Sequence, residues 1–145
     1  MSTATFDTVI ATGDITAQGQ FHGDGSLLTG IGGGTTRTVE AKNSGGNIVV
    51  GDTGKVLTVN SGSTQTLNLP TLVSGDIGKF VTIVKLGAGQ VTIQANTGQK
   101  IADSGTGDTI YNSTAAETYA TLTLLVVTTT LWVVLGAHGT WVTTD

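Results

Sequence analysis

The sequence predicts an all-β protein, built as an antiparallel sandwich or a barrel-like knob with an extended N-terminal β arm. Threonine, which is β-branched and favours strands, is abundant throughout the chain. The 145 residues include 22 glycines and one proline, and glycine recurs with Asn, Asp or Ser in turns spaced about ten residues apart. Between these turns apolar and polar residues alternate, and no window shows helical periodicity.

A glycine-rich joint at residues 30–34 divides the chain into two predicted domains. Residues 1–34 form an extended arm, in which the runs FDTVI and DITAQGQF are predicted as short strands. Such an arm has too little apolar surface to fold alone, so a neighbouring subunit or another protein is expected to hold it. Residues 35–145 form the second predicted domain, a β knob.

The strands of the knob are predicted in order from their turn-bounded runs. The first five are TTRTVEA, KVLTVN, QTLNLP, FVTIVK and VTIQA, and Pro70 ends the third because proline cannot donate to a strand ladder. The Gly-Ala-Gly sequence at 87–89 predicts a tight connection between the last two. The chain closes with a hairpin over residues 119–135 and a short strand over 140–143. No repeat of 20–50 residues is evident.

The closing hairpin is apolar on both faces of its strands, at 122–127 and 131–135. A solvated sheet face is normally polar, so both faces are expected to be covered, and a knob of this size has a limited core of its own. We therefore predict a homo-oligomer. A membrane-spanning helix is not predicted here, because the segment is short for that role, carries several threonines and alternates with period two.

The charge pattern argues against nucleic acid as a partner. The net charge is −4, and the six basic residues are scattered along the chain. No basic stripe is present that could neutralise a phosphate backbone. The chain contains no cysteine, so no disulfide contributes to the fold.

Few residues suggest a metal site. His22 and His138 are the only histidines, and a metal site needs three or four convergent ligands. Asp24, Asp103 and Asp108 lie in glycine-containing segments, but no twelve-residue calcium loop ending in glutamate surrounds them, and Asp and Gly are ordinary turn residues. We predict no metal and no cofactor.

Catalysis is not predicted either. Glu40 and Glu117 are the only glutamates, and nothing in the sequence places them near a histidine or an aspartate as acid–base chemistry requires. Aromatic residues could instead form a platform on which a sugar stacks. Trp132 is favoured as a core or interface residue, whereas Trp141, close to the C-terminus, is the candidate glycan contact.

Several segments resemble proteins of tailed bacteriophages. FHGDGSLLTGI, residues 21–31, resembles a turn motif of tail fibres and other phage appendages. The later segments LTVNSGSTQTLNLP, GDIGKFVTIVKLGAGQVTIQANTGQKI and TLTLLVVTTTLWVVLGAHGTW resemble a fibre-knob or head-spike module. The landmarks of that resemblance, in chain order, are Leu69-Pro70, Gly78-Lys79, Gly87-Ala88-Gly89, residues 98–101 and Trp132.

The resemblance implies a homotrimer with an all-β knob on the virion surface. A short knob with an N-terminal arm predicts a capsid-decorating protein, of the cement or head-spike kind, whose partner is the major capsid protein or another virion protein. The alternative is a tail-fibre tip that binds a host receptor or a glycan. The predicted capsid-docking residues of the arm are Phe6, Val9, Ile10, Ile15, Phe21, Leu27, Leu28 and Ile31. The predicted trimer interface or core consists of Leu122, Leu124, Val126, Trp132 and Val134.

Overall fold

The computed structural model describes residues 36–102, 105–114 and 116–144, all within the predicted knob domain. The predicted arm, with its docking residues, lies outside the described residues. Eleven strands are present in the described part, together with two short 3-10 helices, Val50–Asp52 and Ser74–Asp76. The strands are β1 Val39–Ala41, β2 Gly46–Asn47, β3 Val56–Val59, β4 Gln65–Asn68, β5 Phe80–Lys85, β6 Val91–Gln94, β7 Lys100–Ile101, β8 Thr109–Asn112, β9 Thr121–Thr128, β10 Leu131–His138 and β11 Trp141–Thr143.

The strands form two sheets that enclose one core, which confirms the prediction of an all-β sandwich. The six-stranded sheet has the order β1-β3-β5-β9-β10-β7, and the five-stranded sheet has the order β11-β8-β6-β4-β2. Alternate residues of the strands point inward, and a single cluster of buried aliphatic side chains fills the space between the sheets. Trp132 lies in this cluster, and its indole N–H donates to Gln99 Oε1 at 3.2 Å.

The prediction of an antiparallel sandwich is wrong, because both sheets are mixed. From β1 to β9 each strand lies in the sheet opposite to its predecessor. A chain that crosses to the opposite sheet and back can return in the same direction, and β1-β3-β5 and β2-β4-β6 are parallel runs of this kind. Antiparallel pairs join β9 to β5 and β10, and β8 to β6 and β11. The resemblance to fibre-knob modules implies a hairpin at 87–89, and this is also wrong, since β5 and β6 belong to different sheets.

Most predicted strand positions are confirmed. Each of the five predicted runs contains one strand, and the closing hairpin is the antiparallel pair β9–β10, connected by the two residues Thr129 and Thr130. In that turn the Thr130 N–H donates to Thr128 Oγ1 at 3.2 Å. The sequence analysis missed β2, β7 and β8, which are short or lie in loop-like sequence.

A repeated turn, which the sequence analysis did not detect, precedes β3 and β5. The sequence Gly-Asp-x-Gly-Lys occurs at 51–55 and at 75–79. In each copy the aspartate accepts a backbone N–H three residues earlier and a lysine ammonium three residues later: Asp52 accepts from Val49 and Lys55, each at 3.0 Å. The second glycine of each copy has a positive φ, 79° in the first and 89° in the second, which favours glycine. The two turns thus start neighbouring parallel strands in the same way.

Among the residues that the structure describes, no helix has the length and apolar character needed to cross a membrane.

Candidate functional surfaces

The residues predicted as trimer interface or core lie in the interior of the sandwich. Leu122, Leu124, Val126 and Trp132 are each at most 1% exposed, and the partly buried Val134 packs against the same cluster. They occupy the inward-facing positions of β9 and β10 and contribute to the core of one subunit. Any contact between this sheet and another molecule must therefore use the residues that alternate with them.

Those alternating residues form an apolar outer face on the six-stranded sheet. Phe80 on β5 pairs with Leu125 on β9, which pairs in turn with Val133 on β10. All three are partly exposed, while the neighbours Val81, Leu124 and Trp132 are buried. Val39, Val127 and Leu135 are exposed at 64%, 41% and 63% respectively. We call Val39, Phe80, Leu125, Val127, Val133 and Leu135 the apolar face.

A shallow depression of about 360 Å³ lies on this face, lined by Arg37, Phe80, Thr123, Leu135 and Gly136. The Arg37 guanidinium stacks over Phe80, 4.9 Å from the ring centroid, as expected for a cation–π contact. An irregularity in the β9–β10 pairing between Val134 and Gly136 accompanies the exposure of Leu135. Strand bulges commonly redirect a side chain in this way.

The outer face of the five-stranded sheet is different in character. Its outward positions carry Thr66 and Asn68 on β4, Thr92 and Gln94 on β6, and Tyr111 on β8. Asn68 donates from Nδ2 to Oδ1 of Asn47 on β2 at 3.0 Å, which links two strands through amide side chains. Val142 on β11 is an apolar residue of this face, exposed at 39%. One outer face is therefore mainly polar, as a solvated sheet should be, and the other is mainly apolar.

Four charged residues form an ion cluster beside the edge strand β1. Lys42 Nζ lies 2.8 Å from Glu40 Oε1 and 3.2 Å from Asp52 Oδ2. Lys55 Nζ lies 2.8 Å from Glu40 Oε2 and 3.0 Å from Asp52 Oδ1. The ammonium of Lys42, followed by that of Lys55, lowers the pKa of Glu40. Burial raises the pKa of Asp52, but the Val49 N–H and the two lysines outweigh it and hold the pKa below its usual value.

Replacing Asp52 with asparagine is expected to reduce the free energy of unfolding at neutral pH by about 1–3 kcal/mol, because a buried charged acceptor is lost. Because the pKa of Asp52 is lowered in the folded state, the unfolded state binds more protons in acid. The stabilisation by the Asp52 carboxylate is therefore complete above the ordinary aspartate pKa of about 4, and it is lost as the pH falls through the pKa of the folded state. The difference between wild type and D52N, measured by urea unfolding, should shrink as the pH falls below the ordinary pKa of an aspartate. A difference that is independent of pH would contradict the charge-based explanation.

A second polar group lies inside the sandwich, between β5, β8 and the loop that precedes β9. Lys85 is fully buried, and its ammonium donates to the main-chain carbonyls of Thr114, at 3.4 Å, and of Glu117. The Glu117 carboxylate accepts the Asn112 side-chain amide at 2.8 Å and the Thr140 N–H at 3.0 Å. Burial lowers the pKa of Lys85, and the N–H of Thr140, followed by the Asn112 amide, lowers that of Glu117. These contacts fix the loop against both sheets.

The remaining predicted site residues do not converge. Trp141 is partly buried, packs against the core and donates its indole N–H to the His138 carbonyl at 3.1 Å. The candidate ligands His22, Asp24 and Asp103 lie outside the described residues. Within the part of the chain that is described, no three His, Cys, Asp or Glu residues are grouped to hold a metal ion.

Comparison with protein-family models and with curated proteins found no match to this chain. The resemblance to phage appendages therefore depends on the short motifs quoted above. In the structure three of their landmarks lie at the ends of strands: Leu69-Pro70 follows β4, Gly78-Lys79 precedes β5, and residues 98–101 lead into and include β7. The motif at 21–31 lies outside the described residues.

Proposed function

We propose that this chain is a structural protein of a tailed-phage virion, a trimeric capsid-decorating protein of the cement or head-spike kind. It docks to the major capsid protein through its N-terminal arm and projects a β knob. The observation that supports this proposal best is the contrast between the two outer faces of the sandwich. The side chains of the knob fill its own interior, yet one sheet face exposes apolar residues. Such a surface favours association with another molecule over a monomeric state.

The proposed attachment is mechanical. An extended arm adds to the sheet edges or surface of neighbouring capsid subunits, gaining main-chain hydrogen bonds and inserting alternate apolar side chains. Three arms on one trimer raise the effective concentration of each further contact, so weak single contacts give strong attachment. The arm side chains proposed to dock are Phe6, Val9, Ile10, Ile15, Phe21, Leu27, Leu28 and Ile31.

Deleting residues 1–31 is expected to abolish binding to capsids while leaving a folded β knob. The described strands begin at Val39, so the deletion removes none of them. Binding is measured by co-sedimentation of the purified protein with capsids that lack it, and folding by circular dichroism. The full-length protein is the control. Capsids that still bind the truncated protein would contradict docking through the arm.

A tail-fibre tip is the second candidate. Trp141 on the edge strand β11 is partly exposed beside the exposed His138 and Thr140, where an aromatic ring can contact a sugar. Under this alternative the knob without its arm binds host cells or purified glycans, and the full-length protein does not coat capsids. Testing the full-length and the truncated protein for binding to cells as well as to capsids therefore distinguishes the two functions.

A further inference from the structure

We infer that the side chains of Lys85 and Asn112 react to form an amide bond, a covalent cross-link between the two sheets of the sandwich. Lys85 ends β5 in the six-stranded sheet, and Asn112 ends β8 in the five-stranded sheet. Both residues occupy inward-facing positions and both are fully buried. An amine and a carboxamide therefore enter the same interior from opposite sheets. The inference does not depend on the proposed function.

Glu117 holds these two side chains in one place. The Lys85 Nζ donates to the main-chain carbonyl of Glu117 and, at 3.4 Å, to that of Thr114. The Asn112 Nδ2 donates to the carboxylate of the same Glu117 at 2.8 Å and to the Thr140 carbonyl at 3.1 Å. Thr114 is only two residues beyond Asn112 in the chain. One short loop thus gathers both reacting groups, and such proximity makes their reaction effectively unimolecular.

The surroundings of Lys85 suit a nucleophile. An amine attacks only in its neutral form, and burial lowers the pKa of Lys85, although the nearby Glu117 carboxylate partly opposes this shift. A neutral amine retains two N–H bonds, which can still donate to the carbonyls of Thr114 and Glu117. Loss of the proton therefore leaves the amine held where it is.

The surroundings of Asn112 suit the other half of the reaction. The Glu117 carboxylate lies within hydrogen-bond distance of the amide nitrogen that must leave, as a general base that becomes a general acid requires. The N–H of Thr140, followed by the Asn112 amide, lowers the pKa of Glu117, so this group is present as the base. The Asn112 Oδ1 is buried and accepts no hydrogen bond from the described residues. The unreacted amide therefore lacks stabilisation at its oxygen.

The reaction is a transamidation that releases ammonia. The lone pair of the neutral Lys85 amine forms a bond to Asn112 Cγ, and the carbonyl π electrons move to Oδ1. Glu117 accepts a proton from Nζ and delivers it to Nδ2. The carbonyl then re-forms, the bond between Cγ and Nδ2 breaks, and ammonia leaves with the electron pair of that bond. Atoms and electrons balance without an oxidant or a reductant. The hydrogen bonds described here are those of the unreacted side chains.

Mass spectrometry of the intact full-length protein tests the cross-link. Wild type is expected to be lighter than its unlinked chain by the mass of one ammonia, and a wild type of unchanged mass would overturn the inference. E117Q keeps both partners but lacks the base, so we expect it to stay unlinked. E40Q is the matched control, because Glu40 is the other glutamate of the chain and belongs to the ion cluster beside β1. It should be linked as completely as wild type, and equal linkage in E117Q would overturn the role of Glu117.

Trypsin digestion of the unfolded protein identifies the bonded residues and does not depend on a variant that folds. Trypsin cleaves after unmodified lysine, and no lysine or arginine follows Lys100 in the sequence. The linked protein should therefore yield no separate peptides 80–85 and 86–100, but one branched product in which 80–100 is joined to 101–145. K85M should release 80–100 unjoined. Ammonia loss with 80–85 still released would indicate a cyclic imide, and a branched product lighter by water would indicate bonding to a carboxylate; either result would overturn the inference.

Discussion

Replacing Gly89 with alanine is expected to lower the free energy of unfolding by about 3 kcal/mol. The turn between β5 and β6 stacks directly on the turn between β3 and β4, and the Gly89 N–H donates to the Ser61 carbonyl at 2.7 Å. A Cβ atom at Gly89 would overlap the backbone of Ser63, and one at Gly87 would overlap the backbone of Ser61. Backbone cannot move aside as the end of a flexible side chain can, so the two turns would have to separate.

Gly62→Ala is the matched control, because Gly62 lies in the same pair of turns and its added Cβ would meet no atom within 4 Å. Urea unfolding of the three proteins at one protein concentration measures the difference, since the stability of an oligomer depends on concentration. G62A should match wild type within about 0.5 kcal/mol, as is usual for a surface substitution. An equally small effect of G89A would show that the turns are not packed together as described.

The stacking of these turns explains why the sequence predicts the strands better than their connections. Alternation along FVTIVK and VTIQA correctly predicts two strands, because a half-buried strand shows period two in any sheet. The Gly-Ala-Gly sequence between them fits a hairpin equally well. Its glycines do not have positive φ and instead make room for Ser61 and Ser63, which are distant in sequence. Local pattern does not distinguish a turn within one sheet from a crossing between two sheets.

For a related reason, the sequence left open whether the residues selected on β9 and β10 form the core or a subunit interface. Both faces of these strands are apolar, so hydrophobicity alone does not decide which face is the core. The choice becomes clear only when the pairing is known, because Leu122 and Leu124 pair with Ile83 and Val81, which point inward from β5. β2 and β7 have two residues each, too few to show alternation, which is why they were missed.

One buried residue could have been predicted from the sequence. In β5, Val81, Ile83 and Lys85 share a face by parity, and all three are fully buried. A lysine on the buried face of a strand requires hydrogen-bond acceptors inside the protein. What the sequence does not reveal is which groups accept, since Thr114 and Glu117 lie about thirty residues away in a loop whose course depends on the packing of both sheets.

Replacing Lys85 with methionine is expected to lower the free energy of unfolding by about 3 kcal/mol, although methionine fills nearly the same volume. The substitution removes the ammonium that binds the Thr114 and Glu117 carbonyls, and both acceptors then lose that donor. It also removes the positive charge that interacts favourably with the Glu117 carboxylate. Urea unfolding measures the loss, and amide hydrogen exchange should rise first in the loop between β8 and β9, which this lysine holds.

Lys79→Met is the appropriate control. Lys79 also forms an ion pair, 2.8 Å from Asp76, but its side chain is 38% exposed, so water can replace the contact. Its removal should lower the free energy of unfolding by less than about 1 kcal/mol, as is typical of exposed pairs. If K85M and K79M lowered the free energy of unfolding equally, Lys85 would act only through its charge. A much larger loss for K85M, with faster exchange confined to the loop, would show that the buried ammonium holds the loop against the sheets through its hydrogen bonds.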